Sequence, residues 1–169
     1  TDYRYQSSTL DIQLIIGDAR QTLQPLIAEG WQADAILFDP FSPKRCPQLW
    51  TVEFLALTTR CLATGGTLVT YSCAAAVRAA MKLAGLNIGS FPGAGRHWPC
   101  TIAAHQRPLP PLSLQEQEHL RTRAAIPYRD PTLRATAEAI MAQRQQEQQL
   151  CNLESTGAWR RRWPRGREA

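Results

Sequence analysis

Long apolar runs are missing. No hydrophobic stretch in the 169 residues approaches the ~18–20 residues of a membrane span. The opening TDYRYQSSTLDIQ has no apolar core of a signal peptide, so a soluble, cytoplasmic protein is expected. There is no C-x-x-C pair: the five cysteines (46, 61, 73, 100, 151) are odd in number and scattered, which reads as reduced thiols. The three histidines (97, 105, 119) stand at no ligand spacing, so no metal is expected. No internal repeat is visible. A broad charge imbalance is lacking too. The formal charge is +5, but five arginines against Glu168 place +4 of it in the last twelve residues, AWRRRWPRGREA, and leave the body nearly neutral. That tail has two readings of equal weight, a solvated terminus or a segment that grips phosphates and stacks bases through Trp159 and Trp163.

What is present is one core's worth of apolar residues, 44% of the chain. LDIQLIIGD is an apolar run of strand length. ARQTLQPLIAEG reads as a short helix interrupted by Pro25 and closed by Gly30. ADAILFD is a second strand, buried, and LWTVEFLALTTRCLA a helix with Leu49, Val52, Leu55 and Leu62 on its apolar face. A turn at Thr64-Gly65-Gly66, a third strand TLVTYS and an alanine-rich helix stopped by Gly85 follow. Strand and helix in alternation predict an α/β fold with a parallel sheet and crossover helices. LNIGSF and TIAAHQ predict an antiparallel edge hairpin. Beyond residue 107 apolar density falls: Ser113 and Glu116 have the spacing of a capping box, and TLRATAEAIMAQRQQEQQL reads as an exposed, glutamine-rich helix. The expected division is a domain over 1–107 and a helical extension with a basic Arg/Trp tail over 108–169.

The densest local signal is DAILFDPFSPKR. Two prolines fix their own φ and restrict Asp39 and Ser42, so an acid and an aromatic ring are held at a strand tip with little entropy left to lose. Open α/β sheets bind ligands at the carboxyl ends of their strands. Asp18, Asp39 and Tyr71 all fall at such ends. Asp18 suits a helix cap as well as a ligand site, since a helix begins at Ala19-Arg20. Asp39 lies about ten residues ahead of the next helix, and capping explains it less well. The Asp39–Phe41 pair fits a cationic or amine-bearing group, and the alternative is a rigid turn with Phe41 as a buried plug.

Taken in order, GDARQTL, DAILFDPFSPKRCPQLWTVEFL, GGTLVTYSCAAAVRAAMKLAG and GAGR resemble the methyltransferase domain of the MnmC-like family over about residues 12–105. The resemblance implies a Rossmann-like, class I S-adenosylmethionine-dependent methyltransferase fold, of which this chain is the C-terminal portion. The implied reaction is methylation of the exocyclic amine of 5-aminomethyl-(2-thio)uridine at the tRNA wobble position. Carried over residue by residue, the resemblance puts Asp18 and Ala19 near the cofactor's adenine. It places Asp39, Pro40 and Phe41 at the reacting centre, with Asp39 and Phe41 as the catalytic pair. Lys44, Arg45, Tyr71 and Arg96 become substrate contacts, the cations for tRNA phosphate. Bifunctional members carry a fused FAD-dependent oxidase. Its nucleotide motif is not found here, so a separate oxidase in the same pathway is the implied partner.

One departure is prominent. No G-x-G turn follows any predicted strand, and Gly93-Ala94-Gly95 lies too late to serve. The expectation is an N-terminally truncated enzyme that alone binds S-adenosylmethionine weakly or not at all. Two other classes stay open. Asp-Pro-Phe is also similar to the motif of enzymes that methylate exocyclic amines of DNA adenine, and the Arg/Trp tail would suit a non-catalytic RNA-binding remnant.

Overall fold

The computed structural model describes residues 3–93, 95 and 98–163. Its strands are β1 (Tyr3–Gln6), β2 (Asp11–Leu14), β3 (Ala33–Leu37), β4 (Leu62–Thr70), β5 (Asn87–Phe91) and β6 (Cys100–Ala104). The helices are α1 (Ala19–Ala28), α2 (Val52–Arg60), α3 (Ala75–Leu83), α4 (Leu114–His119), α5 (Ala137–Leu150) and α6 (Thr156–Arg162). One sheet has the order β3-β4-β6-β5, with β3 parallel to β4 and β6 antiparallel to both its neighbours. The fold class is α/β. The expected edge hairpin is thus split in role: β5 is the edge, and β6 is inserted next to β4.

The apolar run over residues 10–18 does not join this sheet. It forms β2, which among the described residues pairs only with β1, from Tyr3 opposite Leu14 to Gln6 opposite Asp11, and every residue of both strands is exposed. Closure is local. Ser7 N donates to the Leu10 carbonyl (2.7 Å), and Arg4 Nε donates to Asp11 Oδ1 (2.9 Å), so the segment satisfies its backbone with its nearest neighbour at little loop-closure cost. β3 is correspondingly less buried than its composition predicts; its Leu37 is 80% exposed.

Gly65-Gly66 is not a turn before β4 but part of it. The register slips there, from Ala33 opposite Leu62 to Ala35 opposite Thr67. A Cβ on Gly66 would stand 2.8 Å from Leu62 Cδ1 and 2.9 Å from the Ala33 carbonyl oxygen, so only glycine fits the bulge. α2 is shorter than predicted, because Pro47–Trp50 forms a separate 3-10 turn and Thr51 Oγ1 then caps the helix by accepting from Phe54 N (3.2 Å). α3 packs through Ala76, Val77, Ala80 and Met81 and stops at Gly85, whose φ of +90° only glycine adopts freely.

The core gathers Phe38, Trp50, Phe54, Leu55, Leu68 and Met81, and Tyr128 and Ile140 of the extension belong to the same cluster. Ser113 and Glu116 form the anticipated capping box. Glu116 also takes Arg78 Nη1 (2.7 Å) and Ser90 Oγ (2.7 Å), while Arg78 Nε reaches Thr101 Oγ1 (2.9 Å), a network that pins α4 to α3, β5 and β6. α5 is not wholly exposed: Ile140 is 1% accessible, and the Arg144 guanidinium lies 4.5 Å over the Tyr128 ring. No helix among the described residues is long and apolar enough to cross a membrane.

Candidate functional site

β3 delivers Asp39 to the sheet's carboxyl end, where the chain leaves the sheet as a loop held by its carbonyls. Tyr71 Oη donates to the Pro40 carbonyl (3.1 Å), and Trp50 Nε1 donates to the Phe41 carbonyl (2.8 Å). Trp50 is fully buried and meets Phe38 and Tyr71 edge-on, at ring-centre distances of 5.1 and 6.3 Å. Downstream, the Ser42 carbonyl accepts from Arg45 N (2.8 Å) and Cys46 N (2.9 Å), closing the turn that carries Lys44 and Arg45.

With the backbone so pinned, two side chains are left facing outward. The Asp39 carboxylate is exposed and accepts no hydrogen bond from the described residues. Phe41 is 74% exposed, which rules out the buried plug. Both line a hollow of about 450 Å³ together with Pro40, Ser42, Leu49 and Tyr71. Asp39 and Tyr71 also line a second hollow of about 280 Å³. An uncommitted carboxylate with aromatic rings at its side attracts cations and accepts from amines.

The other predicted residues fall in three groups. Asp18 caps α1, accepting from Arg20 N (3.0 Å), and pairs with Arg20 Nη2 (2.7 Å). The Arg20 guanidinium holds its carboxyl below the usual range. Arg20 Nη1 continues to Asp130 Oδ2 (3.0 Å) and the Ala135 carbonyl (2.9 Å), so the cap is braced from the extension. Ala19 opens α1 and packs against the core. Lys44 and Arg45 are exposed on the same loop as Asp39, and Tyr71 borders Asp39 directly in both hollows. Arg96 lies outside the described residues.

Sequence reading missed Trp50, whose indole N–H fixes the loop, and Arg20, which ties Asp18 to Asp130. For Trp50 the available signal was a tryptophan set directly before a capping threonine. For Arg20 there was none, since its partner is 110 residues away.

Residues 1–106 match the profile of a family described as S-adenosyl-L-methionine-dependent methyltransferase. The chain belongs to that methyltransferase family. A solved structure, that of MnmC2 from Aquifex aeolicus, superposes with a TM-score of 0.81 at 30% identity over 87% of this chain and 48% of its own. An uncharacterized protein of Methanocaldococcus jannaschii is 30% identical over 86% of this chain. The tRNA 5-methylaminomethyl-2-thiouridine biosynthesis bifunctional protein MnmC of Ralstonia nicotianae is 36% identical over 59% of it. This chain spans 41% of the Methanocaldococcus protein and 15% of the Ralstonia one. The methyltransferase domain is therefore MnmC-like, and its fold is that of the class I S-adenosylmethionine-dependent enzymes.

Proposed function

We propose that this protein methylates the exocyclic amine of a 5-aminomethyl-(2-thio)uridine at the wobble position of tRNA, and that Asp39 and Phe41 face the reacting nitrogen. The observation that carries the reading is the exposed, unbonded Asp39 carboxylate beside the exposed Phe41 ring on a loop whose backbone is immobilised by Trp50 and Tyr71. The names of the MnmC relatives support the tRNA substrate.

The acid and rings at the tips of β3 and β4 suit the cationic end of S-adenosylmethionine, which supplies an electrophilic methyl group when bound. Asp18, Ala19, Asp39 and Pro40 are the residues that would hold it. The acceptor amine must attack unprotonated. Asp39 accepts one of its N–H groups, aims its lone pair along the line of attack, and takes up the proton released as the new N–C bond forms and the old methyl–sulfur bond breaks. Phe41 offers its ring face to the positive charge that passes from sulfur to nitrogen. Lys44, Arg45 and Arg96 supply phosphate contacts that set the RNA's register without reading its sequence. An FAD-dependent oxidase is the proposed partner in the pathway.

The test is incubation of the full-length protein with methyl-labelled cofactor and tRNA lacking the terminal methyl. Label in the wobble nucleoside is expected. Asp39→Asn should lower kcat by about 10²–10⁴-fold with an unchanged melting midpoint, because the carboxylate contributes no hydrogen bond to the fold. Absence of label with the wild type, or full activity of the variant, overturns the proposal.

A further inference from the structure

A larger cavity lies on the other side of Tyr71 and is built differently from the Asp39 hollow. It measures about 920 Å³, near the top of the range for sites that enclose drug-sized molecules, so it has room for more than one ring system. Its walls come from the segment Tyr71–Ala74 at the end of β4, from Arg78 of α3, from the end of β5 and Trp98 on the way to β6, and from helices α4 and α6.

Its surface is aromatic and rigidly held. Trp159 stacks on His119 at 4.1 Å between ring centres and 12° between planes, and its Nε1 donates to the Gln115 carbonyl (3.3 Å). Trp163 Nε1 donates to Glu118 Oε2 (2.8 Å), and Arg162 bridges Glu118 and Glu154, so the C-terminal end of α6 is fastened to α4 through Glu118. Burial, together with the nearby Arg78 and Arg160, pushes His119 down, leaving a neutral ring at pH 7 as the stacking partner. Trp98, facing the cavity from the β5–β6 connection, is 49% exposed. The polar groups of the floor are already satisfied by the Arg78–Glu116–Ser90 network. One lining cation is left uncommitted. Arg160 lines the cavity and, like Arg161, forms no ion pair among the described residues.

Flat indole walls, a satisfied floor and an uncommitted cation suit planar rings strung on phosphates, the chemistry of an unpaired stretch of nucleic acid. A duplex keeps its bases stacked and cannot enter. We propose that this cavity holds an unpaired RNA base flanking the nucleotide presented to Asp39, stacked within the walls set by Trp98 and Trp159, with its phosphate on Arg160. The proposal rests on the reading of RNA as the acceptor. It gives α6, outside the region matched by the family profile, a part in substrate binding. Tyr71, which borders both the cavity and the Asp39 hollows, sets the two bases next to each other.

The test titrates the full-length protein with a fluorescein-labelled seven-nucleotide single-stranded RNA, followed by anisotropy, alongside the same RNA annealed to its complement. The single strand should bind at least about tenfold tighter than the duplex. Trp98→Leu should weaken it by about 5- to 150-fold, the range of one lost base–aromatic stack. Arg160→Gln should weaken it less and reduce the salt dependence by about one phosphate contact. Arg160 is exposed and forms no ion pair among the described residues, so the melting midpoint of Arg160→Gln should match the wild type; should Trp98→Leu unfold, Arg160→Gln carries the test. Equal binding of duplex and single strand, or wild-type affinity in both variants, overturns the proposal. Intact RNA binding without methyl transfer would instead count against the reaction proposed above and leave the cavity's role standing.

Discussion

The N-terminal hairpin and the C-terminal extension attach to the same α/β body in opposite ways. β1 and β2 bond to each other, and Tyr3, Tyr5, Leu10, Ile12 and Leu14 all remain about half exposed or more. The extension, far poorer in apolar residues, is locked in at several points. Ile140 and Tyr128 enter the core, Asp130 takes Arg20, Arg129 pairs with Glu53 (2.7 Å), and Thr51 bridges to Tyr128. What differs is the surface each segment meets. The hairpin meets itself, whereas the extension meets the exposed backs of α1, α2 and α3. Burial is a property of the pair of surfaces, and a segment's own hydropathy does not decide it.

Three substitutions would sharpen or break that contrast. The largest effect is expected at Ile140. Cutting it to alanine opens a cavity in the shared core and should cost about 2–5 kcal/mol, measured as a shift in the urea midpoint. A neutral result would make the extension a mere attachment.

Next is Asp130, whose side chain is fully buried. Burial pushes its carboxyl up, but hydrogen bonds from Ala135 N, Thr132 Oγ1, Arg20 and Arg134 N outweigh that and hold it below its ordinary value of 3.8. A depressed folded value means stability that is present above 3.8 and lost as pH falls through the folded one. Asp130→Asn should therefore cost about 1.5–3 kcal/mol at pH 7, and its stability curve should converge on the wild type's in acid. Parallel curves down to pH 2 would deny the carboxylate its role.

Smallest of all should be Ile12→Ser, within about 0.5 kcal/mol, since the side chain is already 48% exposed. A loss above about 1 kcal/mol would show the hairpin docked and dissolve the contrast.

The same physics explains which features were legible in the sequence. Local chemistry was readable: the Ser113–Glu116 box, the stop at Gly85, and the Asp-Pro-Phe loop each depend on residues a few positions apart. The rigid strand-tip setting of Asp39 and Phe41 was legible from Pro40 and Pro43, but the outward direction of Phe41 was not, because it depends on how Trp50 and Tyr71 hold the loop from beneath. Features set by distant partners were not readable. Gly65-Gly66 has the composition of a turn, yet the close approach of the Ala33 carbonyl makes it a bulge within β4. Strand β6 lies beside β4 although β5 precedes it in the chain. Ile140 sits in a stretch of glutamines, and only the shape of the surface beneath it makes it core.

Tyr71 is a party wall. Its hydroxyl holds the Pro40 carbonyl, and the residue borders the large cavity and both hollows beside Asp39. Altering it therefore disturbs the tenants on both sides at once, and a defect seen there cannot be assigned to either. Phe41 and Trp98, each bordering one compartment alone, are the positions at which chemistry and RNA capture can be disentangled.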